Sequence, residues 1–518
     1  MEDEILTLIQ KKKRGFLRII FSRVGAMILL IILQVLIFLS LYQWFHNYFR
    51  WFALLQYVFS FAMILYLFNC DMDNSGKLTW LNLIMLFPVP ATIVLWYTQS
   101  DMSYKLTKKH IRQLIEQSRD KLIQDSETIT KDELTASGTD DLCHYLNRSG
   151  RFPIYENTSV KYFPIGEAAF EAMLEELKKA EHFIFLEYFI LDEGYMWGSI
   201  LKILADKAAS GVDVRVMYDG MCEVSLLPHD YPKRMAKLGI KCKPFIPISP
   251  FISTQYNYRD HRKILVIDGK VAFNGGINLA DEYINKIERF GHWKDTAIML
   301  SGEAVQSFTL MFLQMWNIDS KEPEWDEFLM PFKSQSDGFV MPYGSSPLTE
   351  GRVGEMVYMD ILNRAKSYVH IMTPYLILDN ELEIALKFAA QRGVDVKIIL
   401  PGIPDKKIAY SLAKTHYRTL INAGVKIYEY TPGFVHAKVF VSDDQKAVVG
   451  TINLDYRSLY HHFECASYIH GASCIHDICT DFDNTLLKCK EVTYETIKND
   501  SRFYKMLGGL MKWIAPLM

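Results

Sequence analysis

Two histidines, two lysines and two asparagines recur in matched order along this chain, and together they can perform chemistry on a phosphate ester. His261, Lys263 and Asp268 form H-x-K-x4-D, and His436, Lys438 and Asp443 repeat it. Glycine follows each histidine by 14 residues (Gly275, Gly450) and asparagine by 17 (Asn278, Asn453). A single such motif arises by chance in roughly one in 20 sequences of this length, given ordinary residue frequencies. Two copies agreeing at five positions do not. Imidazole, with a pKa of about 6.5, serves as nucleophile or as general acid and base near neutrality. Lysine supplies positive charge and asparagine an amide donor. Two of each around one point suit an anionic centre whose oxygens gain charge in the transition state. The chemistry implied is phosphoryl transfer in two steps, one histidine attacking phosphorus and the other handling protons. Residue types alone do not separate the two roles.

The elements that must hold these groups are strands. In HRKILVIDGK, His261 and Lys263 are two apart and share a face, as do His436 and Lys438 in HAKVFVSDD. Gly275 and Gly450 precede the turns carrying Asn278 and Asn453, where a missing side chain permits close backbone approach. Similarity between halves extends beyond the motifs: GVDVRVMYDG from Gly211 resembles GVDVKIILPG from Gly393. Before them, HFIFLEYFI with Glu187 and SYVHIMTPYLI with Thr373 read as apolar strands, each followed by a helix. This alternation predicts an α/β fold of two similar halves, each a mixed sheet flanked by helices, sharing one active site. The halves are expected over residues 146–325 and 326–490. KPFIPISPFIST, from Lys243 to Thr254, reads as a proline-rich loop. Its Phe245 and Phe251 are candidate contacts for acyl chains.

Overall hydrophobicity of 50% and a net charge of −3 conceal an asymmetry, because the apolar excess lies before residue 100. Residues 24–45, 52–68 and 78–97 are apolar enough to embed, and the first is too long and continuous for a core helix or a signal peptide. The expectation is N-terminal membrane helices and a multi-pass protein of the cell membrane. A basic flank, residues 1–23, precedes them, and a helix and linker, residues 98–145, follow. Lys11 to Arg14, Arg18 and Arg23 argue for a cytoplasmic N-terminus, while Lys105, Lys108, Lys109 and Arg112 argue the same after the third segment. Three crossings cannot satisfy both. The tail, residues 491–518, ends in FYKMLGGLMKWIAPLM, which could lie in the membrane interface or pack on the globular part. Eight scattered cysteines contain no C-x-x-C pair, and Cys474, His476 and Cys479 lack zinc-site spacing.

The paired motifs resemble those of the phospholipase D superfamily, whose halves each donate one motif to a shared site. YNYRDHRKILVIDGKVAFNGGINLADEYI, EYFILDEG and IPDKKIAYSLAKTHYRTLINAGVKIYEYTPGFVHAKVFVSDDQKAVVGTINLDYRSL resemble bacterial cardiolipin synthases, and the likeness spans essentially the whole chain. It implies a phosphatidyltransferase that converts two phosphatidylglycerol molecules into cardiolipin and glycerol through a covalent phosphohistidine. Carried across, His261 and His436 are the catalytic pair, with His261 the expected nucleophile. Lys263, Lys438, Asn278 and Asn453 bind phosphate. Asp295 in GHWKDT and Glu464 in HHFEC orient the imidazoles. Asp268 and Asp443 belong to the catalytic motifs but are expected to hold local structure. His462 stands where the family commonly has asparagine, and is expected to pack. Three apolar segments also exceed the family's usual two.

No metal or organic cofactor is implied, since neither a D-x-D pair nor a glycine-rich phosphate loop accompanies the motifs. The partners implied are phospholipids and a bilayer; oligomeric state is not readable, because both half-sites lie on one chain. Hydrolysis by a membrane-bound phospholipase D, or transfer to serine, would use the same residues with a different acceptor. A nuclease needs clustered basic charge, which a net charge of −3 argues against. Intact motifs in both halves argue against an inert scaffold.

Overall fold

The computed structural model describes residues 5–9, 23–48, 52–70, 72–100, 105–247, 257–335, 338–348 and 351–517. Lys11 to Arg14, Arg18 and Phe251 lie outside the described residues.

The first half contributes strands β1 (Thr158–Phe163), β2 (Phe183–Tyr188), β3 (Asp213–Asp219), β4 (Lys241–Phe245), β5 (Lys263–Ile267), β6 (Val271–Gly275), β7 (His292–Lys294) and β8 (Ala297–Gly302). The second contributes β9 (Phe339–Ser345), β10 (Tyr368–Met372), β11 (Asp395–Pro401), β12 (Lys426–Tyr430), β13 (Gly433–Val435), β14 (Val439–Ser442), β15 (Lys446–Gly450), β16 (Glu464–His470) and β17 (Cys489–Glu491). The first sheet runs β1-β8-β6-β5-β2-β3-β4. The second, leaving aside edge strand β17, runs β9-β16-β15-β14-β10-β11-β12, so each strand has a counterpart in the same place. Both sheets are mixed: β2, β3 and β4 are parallel, whereas β5 enters antiparallel to β2, and β10, β11, β12 and β14 repeat this. Central strands such as β2, FIFLEY, are buried on both faces, which explains their unbroken apolar runs.

The sheets share a core. Phe183, Phe185, Ile264 and Val266 of the first half pack in one cluster with Val439, Val441 and Val449 of the second, and helix Val305–Trp316 is buried among them. The halves are also stitched by backbone. β13 pairs parallel with β7, matching Phe434 to Trp293, and a parallel bridge joins Asp260 to Phe463 at the related position.

Residues 98–145 do more than link. Helix Lys105–Gln117 buries Ile111 and Leu114, and the short helices through Gly150 bury Leu134, Leu142 and Leu146 in the core of the second half. The stretch from Lys243 also departs from expectation. Its first residues complete strand β4, and Phe245 is buried against Phe463 with ring centroids 5.4 Å apart, so this side chain is unavailable to acyl chains. Alternation and sheet pairing won over the proline signal there.

Toward the N-terminus the helices are Arg23–Tyr48, Phe52–Asn69, Asn74–Leu86 and Pro88–Ser100. The third apolar segment is therefore two helices of 13 residues, broken where Phe87 leaves helical geometry and Pro88 opens the next helix. Among the residues described in both backbone and side chain, no helix is long and apolar enough to cross a membrane. None of the eight cysteines is in a disulfide.

Candidate active site

Each motif histidine sits where its half meets the other. The main-chain N–H of His261 donates to the carbonyl oxygen of Phe463 (2.9 Å), and that of His436 to the carbonyl oxygen of Lys294 (2.7 Å). The next residues on those partner segments are the acids Glu464 and Asp295. Nδ1 of His261 donates to Oε2 of Glu464 at 2.9 Å, and Nδ1 of His436 to Oδ2 of Asp295 at 2.7 Å. The pairing is crossed: each imidazole is oriented by a carboxylate from the opposite half. A carboxylate on Nδ1 fixes the tautomer that leaves Nε2 with its lone pair.

All four groups are buried, and burial governs their charge. It pushes both imidazoles well below their usual value, with Glu464 opposing the shift at His261 and Lys438 adding to it at His436. Burial raises Asp295 to about 6, against the pull of Lys438. Glu464 is buried too, which alone would raise it, yet its pairing with His261 holds it below the ordinary carboxylate range. The resting site thus pairs neutral imidazoles with a firmly ionised Glu464.

The lysines are nearly inaccessible, each 1% exposed. Lys263 Nζ donates to the carbonyl oxygen of His261 at 2.6 Å, and Lys438 Nζ donates to that of His436. Lys438 Nζ also lies 3.1 Å from Nε2 of His436. Burial lowers Lys263 to about 8, with Glu464 opposing, and Lys438 to about 7, with Asp295 opposing and Lys263 reinforcing. Each lysine is electrostatically coupled to the other half's residues, so the two half-sites form one field. Such buried cations gain most from a phosphate anion placed among them.

The asparagines differ. Oδ1 of Asn278 accepts from the Ile190 N–H and its amide donates to the Tyr283 hydroxyl at 2.7 Å, whereas Oδ1 of Asn453 is buried with no partner among the described residues. Asp268 and Asp443 stand apart from the imidazoles, at the far ends of their strands, ~20 Å along at the usual strand rise. Asp268 accepts from the backbone N–H groups of Glu181, His182 and Phe183, and Asp443 from those of Lys366, Ser367 and Tyr368. Both adopt left-handed backbone, φ 53° and 55°, at the turn between paired strands. Their counting among the catalytic groups does not fit this geometry; their carboxylates are consumed in fastening neighbouring chain.

Several neighbours carried weaker signals. Thr451 donates from Oγ1 to Oε2 of Glu464. Its counterpart, the residue after the first matched glycine, is Gly276, where a Cβ would come within 2.0 Å of Asp295 Oδ1. Gly275 and Gly450 likewise leave no room for a Cβ against Thr296, Ala297 and Ala466, as their placement before the turns predicts. Trp293 lies against His436, ring centroids 5.3 Å apart, and His462 against His261 at 5.5 Å. These rings are structural counterparts, each directly two residues before the orienting acid. Tyr188 is core, and Ser458 sits in the turn capped by Asp455.

Two like-ordered mixed sheets, each presenting H-x-K at their common boundary, define a phospholipase D-type protein. The crystal structure of phosphatidylserine synthase from Haemophilus influenzae shares the fold, with a TM-score of 0.57 and 15% identity over 73% of this chain and 98% of that one. The chain belongs to the cardiolipin synthase family: a family model described as cardiolipin synthase, phospholipase D-like domain, matches residues 173–316 and 358–486. The cardiolipin synthase of Alkalihalophilus pseudofirmus is 32% identical over 90% of this chain and 94% of its own length. An uncharacterised protein of Streptococcus mutans is 57% identical over 88% of this chain and 99% of its own.

Proposed function

We propose that this enzyme is a cardiolipin synthase that joins two phosphatidylglycerol molecules with release of glycerol. The observation that carries the reading is the crossed pair of carboxylate-held imidazoles among buried lysines, in a chain of this family. In the first step Nε2 of His261 attacks the phosphorus of one phosphatidylglycerol; His436, which takes up a proton at Nε2 from solvent when the phosphate anion binds beside it, gives that proton to the departing glycerol oxygen. In the second, His436 takes the proton from the terminal hydroxyl of another phosphatidylglycerol. That oxygen attacks phosphorus, the P–N bond breaks, and His261 is restored. The firmly ionised Glu464 favours His261 as nucleophile, since the phosphorylated ring is cationic. Lys263 and Lys438 hold the phosphate oxygens, and Asn278 and Asn453 supply further amide donors to them. Purified protein given phosphatidylglycerol alone tests the acceptor. Cardiolipin with equimolar glycerol is the expected product; phosphatidic acid would assign a hydrolase instead.

The chain acts at a membrane through its first hundred residues. Leu29, Ile32, Leu36, Leu54, Leu55 and Phe61 are at least half exposed, an apolar surface suited to lipid. Helix Arg23–Tyr48 is ~39 Å long and Phe52–Asn69 ~27 Å, against ~30 Å of hydrocarbon. The two 13-residue helices that follow reach only ~20 Å each. The chain before these helices docks on the first half: Leu6 N–H donates to the Gly198 carbonyl, Leu8 N–H to Glu193, and Arg234 to the Leu8 carbonyl. The chain after them joins the core at Ile111. Both ends therefore lie on the side of the catalytic halves, which requires an even number of crossings. Two crossings by the first two helices, with the broken third segment at the interface, satisfy both basic flanks and assign that side to the cytoplasm. Helix Arg502–Ile514 joins this interface: Thr79 donates to the Trp513 carbonyl at 2.8 Å, while Phe503, Met506 and Leu510 point outward. We place the globular halves at residues 146–325 and 326–490.

A further inference from the structure

We propose that His261, His462 and Glu464 form a binding site for a transition-metal cation of the zinc class, and that its occupation stops phosphatidyl transfer. One ligand atom from each residue lies within 4.8 Å of the others, and all three residues are buried. Two imidazoles and one carboxylate are the donor set that Zn2+ takes, leaving one position open. Tetrahedral ligands at ordinary zinc bond lengths stand ~3.4 Å apart, so closure requires movements of about an ångström.

A second observation points to an occupant. His462 is 8% exposed, and among the described residues neither of its ring nitrogens has a hydrogen-bond partner. Oε1 of Glu464, 0% exposed, is likewise without one. Nδ1 of His462 is 3.6 Å from that oxygen, too long for a hydrogen bond. A buried polar atom left without a partner costs ~1–3 kcal/mol, and here two residues meet that description side by side. A cation between them would satisfy both. The Lys263 ammonium, whose charge opposes a cation at His261, is turned to the carbonyl of His261.

The duplication supplies an internal contrast. At the related position beside His436 stands Trp293, whose ring offers no ligand, so the site exists at one histidine only. A metal held there takes up the imidazole of His261 and the carboxylate that orients it, and the first step cannot occur. The activity part of this inference rests on the function proposed above; the binding part does not.

The test is calorimetric titration of the full-length protein in detergent with Zn2+, alongside the phosphatidylglycerol assay. One Zn2+ per chain at micromolar or tighter Kd is expected, with transfer lost in step and restored by a chelator. His462→Asn and His462→Gln should retain transfer without metal, bind Zn2+ at least roughly tenfold more weakly, and stay active where the unsubstituted enzyme is silent. Co2+ titration provides a readout independent of turnover, since imidazole-bound Co2+ absorbs in the visible and both variants should lose that band. No Zn2+ binding by the unsubstituted protein, or equal binding by it and the variants, overturns the proposal.

Discussion

His261 and Glu464 are 203 residues apart in the chain and 2.9 Å apart at Nδ1 and Oε2. His436 and Asp295 form the same bond in the reverse direction between halves, at 2.7 Å. The acid that controls each imidazole is therefore remote from it in sequence and reaches it only once both sheets are assembled.

Replacing either acid by its amide should uncouple orientation from fold. Glu464→Gln and Asp295→Asn keep size while offering an N–H to Nδ1, which selects the tautomer with Nε2 protonated. A fall in kcat of roughly 10²–10⁴-fold is expected for each, with thermal midpoints little changed. Single-turnover release of glycerol should fail in Glu464→Gln. Rates within a few-fold of normal for both would refute the orienting role.

The motif aspartates should behave as structure. Asp268→Asn and Asp443→Asn preserve the left-handed backbone that asparagine tolerates, but trade a carboxylate for a weaker acceptor of three N–H bonds. Each should cost ~2–3 kcal/mol in denaturant unfolding while leaving turnover per folded molecule within severalfold. Total loss of turnover in a fully folded variant would restore them to the chemistry.

Lys438 sets two pH dependences of opposite sign. Burial lowers it from 10.5 to about 7, so across that interval the unfolded chain binds a proton that the folded chain has released. Folding stability should therefore rise with pH from about 7 toward 10. Phosphate binding needs the ammonium, so KM should climb over the same range. Lys438→Met should abolish transfer yet raise the melting temperature at pH 6 by a few degrees, at roughly 1 °C per kcal/mol for a chain of this size. A lowered midpoint at pH 6 would contradict a strained buried cation.

Membrane topology is directly measurable. Reporters fused at the N-terminus, at the C-terminus and near Lys105 should all be found on the cytoplasmic side of intact cells. An exported N-terminus would mean an odd number of crossings and rule out docking of Leu6 and Leu8 on the first half.

The sequence made legible what repeats and what alternates. Intervals of 14 and 17 residues located both motifs, and apolar runs such as FIFLEY and VFV located their strands. The acids were legible only by family likeness, because no local pattern ties Glu464 to His261. Thr451 escaped because it stands opposite a glycine in the other half, so matching positions concealed it. Strand β4 is hidden where three prolines outweigh alternation, although Phe245 has a core to enter. The third apolar segment reads as one continuous stretch because hydropathy is blind to the break that Pro88 makes; geometry, not composition, divides it.

The crossed bonds carry a statement about ancestry. A lone half would hold a histidine with no acid and an acid with no histidine, so a single-copy ancestor could have worked only as a pair of identical subunits. In such a pair the residue beside the two imidazoles must be the same on both sides. Trp293 and His462 differ, and that difference became attainable only after the copies were fused into one gene and free to diverge separately.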